Sequence, residues 1–217
     1  MNLKRSLLKF AVVGTRLFLG LIFFTSGMGK LTGGDYPGLI GPVHLEEWLA
    51  PYGLSLWVKF VAWSQVGVGL LLLSQRFATV GAIMLLPMIT NILIVTVSLK
   101  WQGTPYVNGF LLGLNLFLLA ADYHKIKFLF FDDVRELRQT RLRRGYAMID
   151  ALWLAGFVLC LGSAALYPVN RLLTYGFSLA GILVFIGCAV WQFLVNRNQT
   201  SRQAGKVSNR TAVSNPF

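Results

Sequence analysis

The sequence is poor in charge, in acidic residues, in histidine and in cysteine. Only 13% of the 217 residues are charged, and 8 acidic residues, 2 histidines and 2 cysteines are present. Soluble domains carry about 25% charged residues, so this composition is not that of a soluble domain. Neither histidine lies in an apolar run, which excludes a pair of haem ligands within the membrane. His44 and Glu47 are spaced to share a metal ion, but a solvated surface pair explains them and we predict no metal site.

The two cysteines, Cys160 and Cys188, lie in different apolar runs and lack Cys-x-x-Cys spacing. Counted from the outer ends of their helices, their depths differ by about 13 Å at 1.5 Å per residue. A disulfide needs Cα atoms within about 7 Å, so we predict two buried thiols. The sequence also has neither a Walker loop nor Gly-x-Ser-x-Gly, and no self-contained catalytic motif is evident.

What the sequence has in excess is apolar residues, 55% of the chain. A helix needs about 20 of them to cross a bilayer, and we find six such runs, at residues 8–31, 54–74, 77–99, 106–122, 147–167 and 172–195. The predicted fold class is an all-α polytopic membrane protein with six spans. Residues 1–128 form a four-span unit with an outer loop at 32–53, in which a short surface helix is expected between Pro42 and Pro51. A basic linker (129–146), a two-span hairpin (147–195) and a disordered tail (196–217) follow.

The basic residues behind the net charge of +12 are concentrated in segments that fall on one side of the membrane if the spans alternate. The N-terminus, the turn after the second span, the linker and the tail are basic and fall on one side, whereas Asp35, Glu46 and Glu47 fall on the other. Positive loops stay in the cytoplasm, so both termini are predicted to be cytoplasmic, in the inner membrane of a bacterium. Topology thus explains the basic excess, and nucleic-acid binding is not predicted.

Three carboxamides fall within predicted spans, Gln65, Asn91 and Asn115. Helical rise puts all three about 12–14 Å below the outer surface, with Ser26 of the first span at a similar depth. One interpretation is that these amides hydrogen-bond between helices and hold the bundle together. The other is a polar pocket in the outer half that binds a quinone head or a similar ligand.

Two charges interrupt the first span, in "RLFLGLIFFTSGMGKL". Arg16 and Lys30 are about 21 Å apart along a helix, so their long side chains can reach the two membrane surfaces as anchors. Their face of the helix, however, also carries Gly20 and Gly27, which favours contact with protein. In that case Arg16 needs an acidic partner, and Asp150 in the fifth span is the hypothesis.

The same stretch resembles the first helix of the DoxX family, and "WSQVGVGLLLLSQRFATVGAIML" resembles the second-to-third helix hairpin of that family. The similarity covers residues 10–128, and the matching positions are Arg16, Gly20, Gly27, Lys30, Gly67, Gly69 and Arg76. Gln65 stands where the family often has a glutamate. An amide neither takes up nor releases a proton, so a proton relay does not carry over to this position.

The resemblance implies a four-helix membrane bundle and an association with quinone-linked membrane oxidoreductases. The leading hypothesis is therefore a membrane subunit that works beside a redox partner. That partner would hold the cofactors, because none is evident in this sequence, although a bound quinone is compatible with it. The rival hypothesis is a non-enzymatic accessory or assembly protein, or a small-solute carrier.

Overall fold

The computed structural model describes residues 3–42, 44–130, 147–167 and 169–191, and its regular elements are helices. In chain order they are α1 (Leu3–Leu31), α2 (Leu45–Leu49), α3 (Ser55–Leu73), α4 (Ala78–Ser98), α5 (Thr104–Ala121), α6 (Tyr123–Phe130), α7 (Ala147–Leu166) and α8 (Arg171–Trp191), with a 3-10 turn, Ala50–Tyr52, directly after α2. The predicted linker lies outside the described residues from 131 onward, and so does the predicted tail.

Five helical stretches are long and apolar enough to cross a membrane: Leu7–Leu31, Ser55–Leu73, Ala78–Ser98, Thr104–Ala121 and Arg171–Trp191. The chain is therefore an all-helical polytopic membrane protein in a lipid bilayer. The apolar part of α7, Ala151–Leu166, is shorter. A sixth span formed by α7, like the predicted orientation of the termini, stays a prediction.

Four helices, α1, α3, α4 and α5, form a bundle in which α1 and α4 each pack on both α3 and α5. All four helices contribute to its buried apolar core, which contains Leu19, Ile22, Phe23, Val68, Leu72, Ala82, Leu85, Ile89, Leu111 and Leu118. Short connections of a few residues join α3 to α4 and α4 to α5, which makes them antiparallel neighbours. We call the end of the bundle that carries residues 32–53 the loop end, and the opposite end the turn end.

Helices α1 and α3 approach closely because glycines lie at their contact. A Cβ on Gly27 would lie 2.7 Å from the carbonyl oxygen of Ala62, and a Cβ on Gly69 would lie 2.5 Å from the backbone nitrogen of Phe24. Carbon atoms pack at about 3.5–4.0 Å, so neither position has room for a larger residue. The glycine-bearing face of α1 thus packs on protein rather than on lipid.

Helices α7 and α8 pack on the outside of the α1–α3 pair. Their residues Trp153, Cys160, Phe185 and Cys188 share a second buried core with α1 and α3. Both cysteines are free and buried, as the sequence predicts. At the loop end, Asp35 binds this helix pair through the hydroxyl of Tyr167 and, at 2.9 Å, the guanidinium of Arg171.

The loop between α1 and α3 contains the predicted short surface helix, which the structure shows as α2. Leu45 and Leu49 are buried against α3, whereas Trp48 between them is exposed. The indole of Trp48 meets that of Trp101 edge to face, with ring centroids 5.8 Å apart. This contact joins the loop to the connection between α4 and α5, so the loop lies across the end of the bundle.

Candidate functional site

A cavity lies inside the bundle at the loop end, beneath the loop. Its walls come from α1, α3, α4 and α5, and the loop residues Ile40, Gly41, Pro42 and Leu45 cover it. Apolar and aromatic side chains form most of the lining, among them Ile22, Phe23, Trp57, Val61, Ile92, Val95, Trp101 and Leu111. The enclosed space between these side chains is about 50 Å³, enough for a few water molecules. A larger ligand head therefore has to extend toward the loop-end surface or displace the loop above it.

The polar lining of the cavity is centred on Lys30, whose side chain is partly buried. Its ammonium donates to the hydroxyl of Ser26 at 2.9 Å, to the backbone oxygen of the same residue at 3.2 Å, and to Oε1 of Gln65 at 3.0 Å. All three acceptors are neutral. No carboxylate of the described residues lies within 4.0 Å of the ammonium.

The loop segment at residues 39–42, which we call the strap, is tied to α1 above the ammonium. Ser26 Oγ donates to the carbonyl oxygen of Ile40 at 2.6 Å, and the backbone nitrogen of Leu39 donates to Thr25 Oγ1 at 3.4 Å. Gly41 has a φ of +97°, and a Cβ there would lie 3.5 Å from Lys30 Nζ. Because other residues rarely adopt that backbone conformation, glycine lets the strap pass directly over the charge.

Asn108 on α5 also lines the cavity, and it is not among the residues predicted from the sequence. Its side chain is 8% exposed, and the amide nitrogen Nδ2 has no hydrogen-bond partner. A buried donor without a partner costs about 1–3 kcal/mol, so this nitrogen can gain from a ligand acceptor. The available signal was its spacing of seven residues from Asn115, which puts both amides on one face of α5.

The amides predicted to lie at one depth do not all face the same cavity in the structure. Equal depth does not give the direction in which each side chain points around its helix axis. Gln65 and Ser26 line the cavity, but Asn91 and Asn115 do not. Asn91 is exposed and accepts from Trp57 Nε1 at 3.2 Å. Asn115 is fully buried and donates to the carbonyl oxygen of Ala82 at 3.0 Å, a bond between α5 and α4 of the kind that holds bundles together.

Arg16, on the same helix as Lys30, lies at the turn end and pairs with Asp122, at 2.5 Å. Thr79 and Lys125 also donate to this carboxylate, at 2.8 and 2.9 Å. Burial alone would raise the pKa of Asp122, but the hydrogen bonds from Lys125 and Thr79 and the charges of Arg16 and Lys125 keep this pKa below its ordinary value. The side chain of Asp150 lies outside the described residues, so its predicted pair with Arg16 stays a prediction.

A second, wider depression adjoins the cavity at the loop end. It shares Ile40, Gly41, Pro42, Trp101 and Thr104 with the cavity and adds Trp48, Gln102 and Val107. The cavity therefore communicates with the loop-end surface between the strap and the start of α5.

At the same surface His44 Nδ1 lies 3.4 Å from Glu47 Oε1, and both side chains are exposed. The described residues contain no group of three metal-ligating side chains.

Comparison with known proteins gives one family. Residues 11–99 match the family model described as DoxX. The match contains α1 from residue 11 onward, the loop, α3 and α4. It therefore includes Ser26, Lys30 and Gln65, but it ends before α5 and Asn108. No curated protein and no solved structure matches the chain.

Proposed function

We propose that this chain, whose residues 11–99 match the DoxX family model, binds a quinone head in the cavity beneath the loop. We further propose that it serves as the membrane subunit of a quinone-linked oxidoreductase system in the bacterial inner membrane. In this proposal the protein has six spans and cytoplasmic termini. The cavity then opens to the outer side, and the redox cofactors belong to a partner protein.

The observation that carries the proposal is the match between the cavity's donors and a quinone. Lys30 and Asn108 both line a cavity that is otherwise mostly apolar, and the buried amide nitrogen of Asn108 has no hydrogen-bond partner of its own. A quinone head is a flat apolar ring with carbonyl oxygens, which accept hydrogen bonds and donate none. Trp57 and Trp101 supply flat surfaces for such a ring, and a few polar groups in an apolar lining are typical of ligand sites.

The assignment of the cofactors to a partner follows from the sequence. The chain has two histidines, neither in a span, and two cysteines on different helices. These residues do not form the ligand sets of haem or iron–sulfur groups. Electrons that reach a bound quinone would therefore come from another protein.

Binding can be measured on the purified full chain in nanodiscs, with 2-methyl-1,4-naphthoquinone as the probe and tryptophan fluorescence as the readout. We expect saturable quenching that weakens about tenfold in Lys30→Met and in Asn108→Leu, because each removes one donor. Lys59→Met is the matched control, since Lys59 is exposed and pairs with Glu46 at 3.1 Å, away from the cavity lining. Absence of saturable quenching would contradict the proposal.

The redox partner is tested separately, by mild extraction of the tagged chain from its native membranes. We expect a flavin-, haem- or iron-containing protein to co-purify, with quinone in the organic extract. Purification of a stable chain without either would favour the rival function, a non-enzymatic accessory protein or carrier.

A further inference from the structure

Two cations of α1, Arg16 and Lys30, have different surroundings in the fold. Arg16 faces the carboxylate of Asp122, whereas Lys30 faces only the neutral oxygens of Ser26 and Gln65. Buried charges in proteins are ordinarily paired or coordinated, because desolvation penalises an isolated ion. Among the described residues, the ammonium of Lys30 thus has no carboxylate to compensate it, and it lies in the lining of the cavity.

The surroundings of Lys30 hold the charge in place without cancelling it. Ser26 and Gln65 orient the ammonium, and the strap passes over it at Gly41. The longest of the three hydrogen bonds of Lys30, 3.2 Å, goes to the backbone oxygen of Ser26. This oxygen is within a helix, so an incoming acceptor can replace that bond and leave the two side-chain contacts intact.

We propose that Lys30 makes the cavity selective for a ligand head with an ionised oxygen, such as a hydroxyquinone anion, over a neutral quinone of the same shape. The ammonium binds the anionic oxygen, and Asn108 Nδ2 donates to a second oxygen of the same head. This inference rests on the proposed function and names the ligand class of its site. It makes Lys30 a specificity-determining residue.

Gln65 provides the sharpest test of this role, because its Oε1 lies 3.0 Å from the ammonium. Gln65→Glu would put a carboxylate there with almost no change of shape. The charge of Lys30 would then be compensated within the protein, and the preference for an anion should disappear while the cavity remains. Lys30→Arg keeps the charge and should keep the preference.

The experiment compares two probes in nanodiscs of zwitterionic phosphatidylcholine. The probe 2-hydroxy-1,4-naphthoquinone is a vinylogous acid and is ionised at neutral pH, whereas 2-methyl-1,4-naphthoquinone is neutral and nearly the same shape. Each is titrated by tryptophan quenching and corrected with empty nanodiscs. We expect the wild-type chain to bind the ionised probe about tenfold more tightly, because hydrogen bonds to charged groups are the stronger ones.

The variants decide what causes the preference. The ratio of the affinities for the ionised and the neutral probe should fall to near unity in Lys30→Met and Gln65→Glu. It should persist in Lys30→Arg and in the exposed control Lys59→Met. A preference that survives in Lys30→Met overturns the inference. Saturable binding of both probes to the wild-type chain with equal affinity also overturns the inference, but this result leaves the proposed function standing. No saturable binding of either probe overturns both.

An anionic lipid headgroup offers the same kind of oxygen as an ionised quinone, so the titrations are repeated in nanodiscs with phosphatidylglycerol. Anionic lipid repels the anionic probe, and the change in affinity measured for Lys59→Met in the same nanodiscs corrects for this repulsion. After the correction, we expect the affinity for the hydroxyquinone to change by less than about twofold. A loss of affinity that grows with the phosphatidylglycerol fraction and vanishes in Lys30→Met would assign the site to lipid. That result overturns the inference.

Discussion

The contact between α1 and α3 can be tested with two glycines of the same helix. A Cβ on Gly69 would lie 2.5 Å from the nitrogen of Phe24 and 2.8 Å from its Cα, whereas a Cβ on Gly67 would have nothing within 4 Å. Both positions are interior to α3, so the gain in helix propensity from alanine is shared by the two variants, at most about 1 kcal/mol. The difference between Gly69→Ala and Gly67→Ala therefore isolates the clash.

The clash can be given a magnitude. The contacted atoms at Gly69 belong mainly to the backbone of α1, which cannot rotate away as a side chain does, so the helices must separate by about 1 Å to restore ordinary packing distances. Such overpacking costs about 1–3 kcal/mol. For a chain of this size the cost lowers the midpoint of thermal unfolding by about 2–12 °C.

The assay is thermal unfolding of the two purified variants in the same detergent, followed by tryptophan fluorescence. Because α1 carries Lys30 and α3 carries Gln65, Gly69→Ala should also weaken quinone binding more than Gly67→Ala does. If Gly69→Ala unfolds at the same temperature as Gly67→Ala, or higher, the close approach of α1 and α3 is wrong.

Three further predictions concern the ends of the bundle. Asp122→Asn removes the counter-ion of the buried Arg16 and should destabilise the protein by about 3 kcal/mol, whereas Lys125→Met, half exposed, should cost less than about 1 kcal/mol. The pKa of Asp122 in the folded protein lies below its ordinary 3.8. The stabilisation by the Asp122 carboxylate is therefore present above pH 3.8 and is lost as the pH falls through the folded-state pKa. Acid unfolding of both variants would show this. The hydrogen bond from Tyr167 to Asp35, together with burial and the nearby carboxylate charge, raises the pKa of this phenol above 10.0. The contact should therefore hold below pH 10 and loosen at higher pH, and Tyr167→Phe should remove one late-titrating tyrosine from the ultraviolet spectrum. A green fluorescent protein fused after residue 217 should fluoresce if six spans return the C-terminus to the cytoplasm, and a dark fusion would contradict that topology.

The sequence was sufficient to predict the six long helices, and most of their bounds agree with the structure to within a few residues; the short helix α6 was not predicted. Length and hydropathy determine which segments are helical in a bilayer, because every backbone polar group must be bonded within its own segment. The surface helix α2 was predictable as well, from its two prolines and from Leu45, Trp48 and Leu49. The resemblance to the DoxX family was predictable from "RLFLGLIFFTSGMGKL", and the DoxX family model matches residues 11–99.

The candidate site was predictable only in part, because depth in the membrane follows from counting residues and rotation about the helix axis does not. Gln65, Asn91 and Asn115 have similar predicted depths, yet the cavity contains the first alone. Which amide faces inward depends on how the helices pack, and Gly27 and Gly69 determine this at the contact of α1 with α3. Asn108 was missed since a polar residue so near a helix end needs no special explanation in a sequence.

Arg16 and Lys30 of α1 show why the anchor interpretation was incomplete. Snorkelling treats Arg16 and Lys30 as equivalent, each reaching for water at its own membrane surface. In the structure Arg16 is 8% exposed and bound to Asp122, which ties α1 to the end of α5. Lys30 turns inward beneath the strap, where its partners are neutral. A glutamate in place of Gln65 would compensate the charge of Lys30 within the protein, at the cost of desolvating a second ion. The neutral amide leaves the charge available, and this is the reason to look for an anionic ligand there.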